Sequence, residues 1–323
     1  MVGSFSPIAN SPFAKGVVMT LLSSRTLRCV AALTLSLSLA NAADAQALRW
    51  KFEKGETLRY EWVEKSETKI EAGGGGVSNV LESMEMTWTV DSVDGDKARI
   101  SQTIQKIKMS MDSSLSKFTY DTTARENRPA DAIGSGFATI LDNVADAKTT
   151  FTLSAQGEAT NIAFDHKTLK GLSELHPESL GAPSSSLDVL KVGILSVATP
   201  LPEMTMPLVK GKTWTRIVKI PDPPFGEKVL DAKFSFLGAE KKAGAGMFKI
   251  GVDSKGKMVP DPKNRVAPKR VKSLRSSGSF LFDERAGNVF SSKIVERVKE
   301  TIKFKGNLYD QSVKKTWTVT RRD

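Results

Sequence analysis

The sequence predicts a mainly β (α+β) protein, built as two related curved antiparallel sheets or as one large half-barrel packed against a few central helices. Three observations carry this. Apolar residues recur with period two along most of the chain, the signature of strands buried on one face. One strand arm changes phase midway, which bends a sheet. Two strand-rich halves flank a stretch whose apolar residues take helical spacing.

Leu48, Trp50 and Phe52 alternate with Arg49 and Lys51, and Leu58, Tyr60 and Trp62 alternate with Arg59 and Glu61, so both runs read as strands. The glycines at 73–76 break the pattern as a loop tip. Met84, Met86, Trp88 and Val90 resume it up to the turn Asp94-Gly95-Asp96, where glycine accepts positive φ at no steric cost. In the returning arm Ala98, Ile100 and Ile104 occupy even positions, but Ile107, Met109 and Met111 occupy odd ones. A one-residue slip turns every side chain over, so a bulge near Gln105–Lys106 is required to keep one face apolar.

Phe137, Ile140, Leu141 and Val144 predict a helix over 131–145. Phe151–Leu153 and Ala159–Ile162 predict a hairpin about Gln156-Gly157. Leu169, Leu172 and Leu175 predict a short helix ending before Pro177, and Leu187 to Leu195 another. Strands return at Trp214–Val218, where Pro221-Asp222-Pro223-Pro224 interrupts them, then at Val229–Leu237, Met247–Val252, Ser279–Phe282, Val289–Phe304 and Val313–Thr320. Lys54-Gly55-Glu56-Thr57 opens one strand group and Lys210-Gly211-Lys212-Thr213 another, and Thr-Trp-Thr recurs at 87–89, 213–215 and 316–318. A degenerate duplication follows, with an N-terminal β half plus helical segment at 46–200 and a related C-terminal half at 201–323.

Length and charge bound the class. With 323 residues, 40% of them hydrophobic and 26% charged, the chain is neither disordered nor collagen-like. Its net charge is +11 and its pI about 9.6. Lys15, Arg25 and Arg28 precede the apolar run Val30–Ala40, and the small-residue patterns Ala40-Asn41-Ala42 and Ala43-Asp44-Ala45 follow, the order of a secretory signal peptide over 1–45. The apolar run has eleven residues, short of the roughly 20 that span a bilayer as a helix. Removing 45 of 323 residues leaves 278 with net charge +9 and, because Cys29 is the sole cysteine, no thiol. The expected product is exported to the periplasm or beyond, with no disulfide and no transmembrane helix.

Catalytic constellations are poorly represented. His166 and His176 are the two histidines, and neither forms an HxH or HxxxH pair. No G-x-S-x-G elbow, P-loop or dinucleotide fingerprint occurs. No catalytic residue, metal ligand or cofactor is assigned, and the expectation is a protein that is not an enzyme. Binding residues are better candidates. Met84 and Met86 share one side of a strand, Met109 and Met111 lie on the returning arm, and Trp62 and Trp88 flank them. Flexible thioethers and aromatic rings suit a hydrophobic or amphipathic ligand as well as they suit plain core filling. From Lys255 to Arg275 eight bases face one acid, Asp261, in a proline-bearing stretch read as an extended loop. Lys263, Arg265, Lys269, Arg270 and Lys272 are its candidates for contacting an anionic envelope component. Nucleic acid is not expected, since no aromatic interleaves these bases as a stacking platform.

The residues Lys54–Tyr60, Met84–Gly95, Ile107–Met111 and Lys210–Trp214 resemble a family of uncharacterised secreted bacterial proteins catalogued as a domain of unknown function. The likeness runs from about Leu48 to Val319 and implies an exported β-rich fold without supplying site residues. At fold level the pattern is also similar to LolA/LolB-like lipoprotein carriers, which implies a ligand held in the sheet's concavity. The leading expectation is therefore a non-enzymatic envelope protein that binds a hydrophobic or amphipathic ligand in a curved sheet. The alternative is a structural or interaction module recognising an anionic surface or a protein partner.

Overall fold

The computed structural model describes residues 48–322 except 72–75, 115, 146, 166–192, 204–207, 223–225, 243–244, 261–269 and 305–306. They belong to the compact unit Gln46–Asp323. The signal-peptide reading of 1–45, the histidines and the helix at 169–175 lie outside the described residues, as does most of the helix at 187–195.

Twelve strands form one antiparallel sheet. In chain order they are β1 (Thr57–Ile70), β2 (Val77–Asp94), β3 (Lys97–Asp112), β4 (Lys117–Asp121), β5 (Lys148–Ser154), β6 (Ala159–Phe164), β7 (Thr213–Asp222), β8 (Gly226–Lys242), β9 (Ala245–Pro260), β10 (Arg270–Asp283), β11 (Asn288–Phe304) and β12 (Asn307–Arg322). Across the sheet the order is β6-β5-β3-β2-β1-β12-β11-β10-β9-β8-β7, with β4 beside β3. The sheet is curved and does not close, so of the two expected arrangements the chain takes the single half-barrel. Its seam is the pairing of β1 with β12, in register from Arg59↔Arg322 to Ile70↔Gln311, which joins the N- and C-terminal parts into one layer.

Long strands with one buried face explain the alternation seen in the sequence. β2 has 18 residues, about 60 Å at strand rise. Gly95 (φ 58) begins its two-residue turn to β3, in which Asp94 pairs with Lys97. The predicted phase change is a bulge: Glu85 pairs with Lys106 but Met86 with Ile104, leaving Gln105 unopposed. Ile104 and Ile107 are thereby both buried.

Four strand expectations change. Leu48–Phe52 alternates but joins no strand. It runs as an extended strap whose Trp50 N donates to Ala155 O (2.9 Å) and Lys51 N to Gly287 O (2.9 Å), tying two hairpin ends together. Pro221 does not break β7, because β7 is an edge strand and a missing N–H is tolerated there. The stretch from Lys255 to Arg275 is not one loop, since β9 continues to Pro260 and β10 begins at Arg270. The short strand β4 carried no periodic signal long enough to read.

The one full helix described, α1 (Ala132–Ala145), covers the 131–145 prediction. It packs on β3 and β4 through Ala138, Leu141 and Val144. A second helical turn at 193–197 places Ile194, Val197, Ala198 and Leu201 in the same core. At the centre, Trp88 meets Phe151 at 4.9 Å and Tyr60 at 5.4 Å, both edge-on, and Trp50 at 6.3 Å. Edge-on pairs of this kind add about 0.5–1.5 kcal/mol each beyond area burial. The Trp88 indole N–H is satisfied by buried Gln102 Oε1 at 2.8 Å.

Candidate functional site

The register turns the inner face into rows running across the strands. One row reads Trp62 (β1), Val319 (β12), Ser292 (β11), Phe280 (β10) and Ile250 (β9), and belongs to the main core. Two steps along the strands lies a polar row: Ser66, Lys315, Glu296, Ser276, Ser254, Ala232 and Arg216. The next row is apolar again: Val313, Val298, Leu274, Gly256, Leu230 and Val218. Leu230, Leu274 and Val298 form a second buried cluster, distinct from the main core, with Val218, Ile220, Val271 and Val313 half-buried against it.

The polar row is charged and mostly buried. Lys228 on β8 reaches Glu296 on β11 at 3.1 Å, and the Glu296 side chain has no exposed surface. The two meet over β9 and β10, where the small Ser254 and Ser276 stand in the row between them, while the Leu230 and Leu274 side chains close over Gly256. Lys315 pairs with Glu64 at 3.2 Å, and the Trp317 indole N–H donates to the other oxygen of Glu64. Glu82 lies directly across from Glu64. Burial, and then the facing Glu64 carboxylate, push the Glu82 carboxyl up to about 8, so it is protonated at neutral pH. Gln311 Nε2 donates to Glu300 Oε1 at 2.6 Å. Ser254 Oγ, Ser276 Oγ, Glu296 Oε2 and Glu82 Oε1 are buried without a hydrogen-bond partner among the described residues.

The sequence-predicted ligand residues fall elsewhere. Trp62, Met84, Met86, Trp88 and Met109 are buried members of the main core, and Met111 is half-buried against it. A Cβ on Gly193 would sit 3.1 Å from Met84 Cε, so the helical turn at 193–197 already fills the space above the methionine pair. These six side chains therefore pack the core, while the half-buried apolar surface lies over β7–β12. Of the basic candidates, Lys263, Arg265 and Lys269 lie outside the described residues. Arg270 is exposed, and Lys272 pairs with Asp310 at 2.6 Å. No group of three or more His, Cys, Asp or Glu side chains able to hold a metal ion occurs among the described residues.

A shallow cleft of about 330 Å³ opens between Glu56–Arg59 and Arg321–Arg322. Two of its three arginines are engaged: Arg321 donates to Asn288 Oδ1 (2.5 Å) and Asp283 Oδ2 (3.2 Å), and Arg322 to Glu61.

Comparison with known proteins fixes the class at the level of the fold. No family model matches the chain, and no curated protein matches it. Among solved structures, one of lipovitellin, titled for its lipid–protein interactions, superposes with a TM-score of 0.50 at 10% identity. The alignment covers 84% of this chain and 26% of that one, so this chain spans about a quarter of the lipovitellin chain's length. An outer membrane channel from Pseudomonas putida aligns over 87% of this chain and 99% of its own, at 9% identity and a TM-score of 0.24. The chain is a large open antiparallel sheet, similar in fold to part of the lipovitellin chain. No described helix is long and apolar enough to cross a membrane.

Proposed function

We propose that this is an exported, non-enzymatic envelope protein that holds a hydrophobic or amphipathic ligand against the concave face of its sheet. The observation that carries the reading is the second apolar cluster, Leu230, Leu274 and Val298. It is set apart from the main core by the row of Glu296 and Lys315, to which Lys228 reaches from the opposite side of the cluster. A sheet stabilised by one core has no need of a separate apolar trough bounded by buried charge. An amphiphile fits that layout, its tail along Val218, Ile220, Val271 and Val313 and its polar end at the charged row. Likeness in fold to a protein whose structure is titled for lipid interactions supports the same class of ligand, by analogy alone. The signal-like segment at 1–45 points to export in the same way.

The test is native mass spectrometry of protein purified without detergent from its own envelope, alongside titration with a fluorescent fatty acid. Val218→Glu/Val313→Glu, at two half-buried positions against the cluster, is expected to weaken probe binding at least tenfold while leaving the melting transition cooperative. Recovery of ligand-free protein alone, with no probe binding by the unaltered chain, overturns the proposal.

A further inference from the structure

The convex face carries a second ordered row. Antiparallel register sets Lys255 (β9) beside Arg275 (β10), Arg275 beside Arg297 (β11), and Arg297 beside Lys314 (β12). All four are exposed, as are Lys257, Lys293 and Lys299 on the same face of these strands. At strand spacing the four-base row spans roughly 14 Å, and neighbours within the row are closer than the roughly 8 Å over which physiological salt screens charge. Their fields therefore add.

Elsewhere on this face bases meet acids: Arg322 with Glu61, Lys69 with Glu67, Lys219 with Glu227, Lys249 with Glu240. The row differs. No ion pair among the described residues involves Lys255, Arg275 or Arg297, and the β10 positions flanking Arg275 on this face are Ser273, Ser277 and Ser279, while acids border the row at its two ends, Asp231 across from Lys255 and Glu67 across from Lys314. Like charges directly opposite one another across a ladder are destabilising, and here three such contacts follow in succession. One acid at position 275 would relieve two of them. At the end of the row toward the sheet edge, Ile217 on β7 is 70% exposed beside Asp231, and Val259 on β9 is 42% exposed two residues beyond Lys257. Exposed apolar side chains beside a band of bases match the interface of a bilayer, where both are accommodated. A fully hydrated polyanion gives the isoleucine no role.

We infer that the convex surface over β9–β12 docks the protein on an anionic phospholipid bilayer, through Lys255, Arg275, Arg297 and Lys314. This does not rest on the concave-face ligand, and each can fail alone. It also moves the anionic contact from the 261–269 stretch onto the ladder itself. The experiment is co-sedimentation of the full chain with phosphatidylethanolamine vesicles, with and without phosphatidylglycerol. Binding is expected with phosphatidylglycerol, decreasing as salt rises. Each base contributes about fivefold to membrane affinity, so Lys255→Gln/Arg275→Gln/Arg297→Gln should lose about 100-fold. The charge-matched Arg49→Gln/Lys54→Gln/Lys97→Gln, altered away from the row, should bind as the unaltered chain does. Because the first variant removes like-charge contacts, its melting temperature should not fall, which separates lost docking from lost folding. Equal loss in both variants, no loss in either, or binding to an acidic polysaccharide but not to vesicles overturns the inference.

Discussion

The buried pair Lys228–Glu296 allows the concave face to be tested quantitatively. The Glu296 side chain is wholly buried, Lys228 is 13% exposed, and their charged atoms lie 3.1 Å apart. At an effective dielectric of ~20 a pair at that distance attracts by about 5 kcal/mol, much of it offset by desolvation of both ions. Lys315, the cross-strand neighbour of Glu296, has an ion pair with Glu64 at 3.2 Å. Lys228→Met therefore strands a buried carboxylate, for which a loss of about 3–5 kcal/mol is expected. Glu296→Leu leaves an ammonium that can reach toward solvent along its stem, so it should cost less, about 1–2 kcal/mol. Lys228→Met/Glu296→Leu removes both charges and should return stability to within about 1 kcal/mol of the starting protein. Urea unfolding at pH 7 measures all three changes as a double-mutant cycle. A cost below about 1 kcal/mol for Lys228→Met would show that Glu296 is solvated after all. A double variant no better than the sum of the singles would refute the pairing itself.

Two further outcomes follow from the same structure. The Glu82 carboxyl is raised to about 8 in the folded chain, so the fold holds a proton that the unfolded chain releases in the ordinary carboxylate range. Stability should therefore decline as pH rises from about 4.5 through about 8, and Glu82→Gln should flatten that decline in urea titrations run at several pH values. Gly157 has φ 78, and a Cβ there would lie 2.0 Å from Thr199 O. Gly157→Ala should cost more than about 1 kcal/mol and alter the near-ultraviolet signal of Trp50, whose indole nitrogen lies 2.9 Å from the same point. An unchanged melt would mean that the 198–201 segment is not seated as described.

How much of this was legible in the sequence depended on the range of the interaction concerned. The bulge at Gln105 is written within one strand, because period-two phase is a local property and a phase change has a single remedy. The Gly95 turn is equally local. The strap at Leu48–Phe52 shows the reverse: its alternation is genuine, since Leu48 and Trp50 are buried while Arg49 and Lys51 face out. Yet its backbone partners are Ala155 and Gly287, more than 100 residues away, and period alone does not distinguish pairing with a ladder from bridging two hairpin ends. The methionines were read correctly as one inward-facing group. Whether a group of that kind lines a cavity or fills a core is decided by the segment packed on it, here Gly193 at the start of a helical turn. The basic stretch misled for a related reason. Prolines at 260, 262 and 268 are a local signal and read as one loop, whereas β9 runs to Pro260 and β10 starts at Arg270, and Arg297 and Lys314 join Lys255 and Arg275 through register alone.

A single open sheet has two faces and, on most of its area, one set of elements to cover the inner one. In this fold α1 reaches β3 and β4, and the 193–201 segment reaches the methionines of β2, so covered core concentrates toward the N-terminal strands. The C-terminal strands are equally long and equally curved, but their inner face alternates apolar, charged and apolar rows instead of forming one oily layer. Their outer face aligns four bases side by side, with acids at the two ends of the row. Both departures from plain sheet stabilisation therefore occupy β8–β12, back to back across one layer of backbone. Burying charge inside and aligning like charges outside each destabilise the folded chain, and neither is needed to join the N- and C-terminal strands into one layer, since β1–β12 pairing already does so. The half of the molecule with the weakest case for purely structural side chains is therefore where both a ligand and a surface are to be sought.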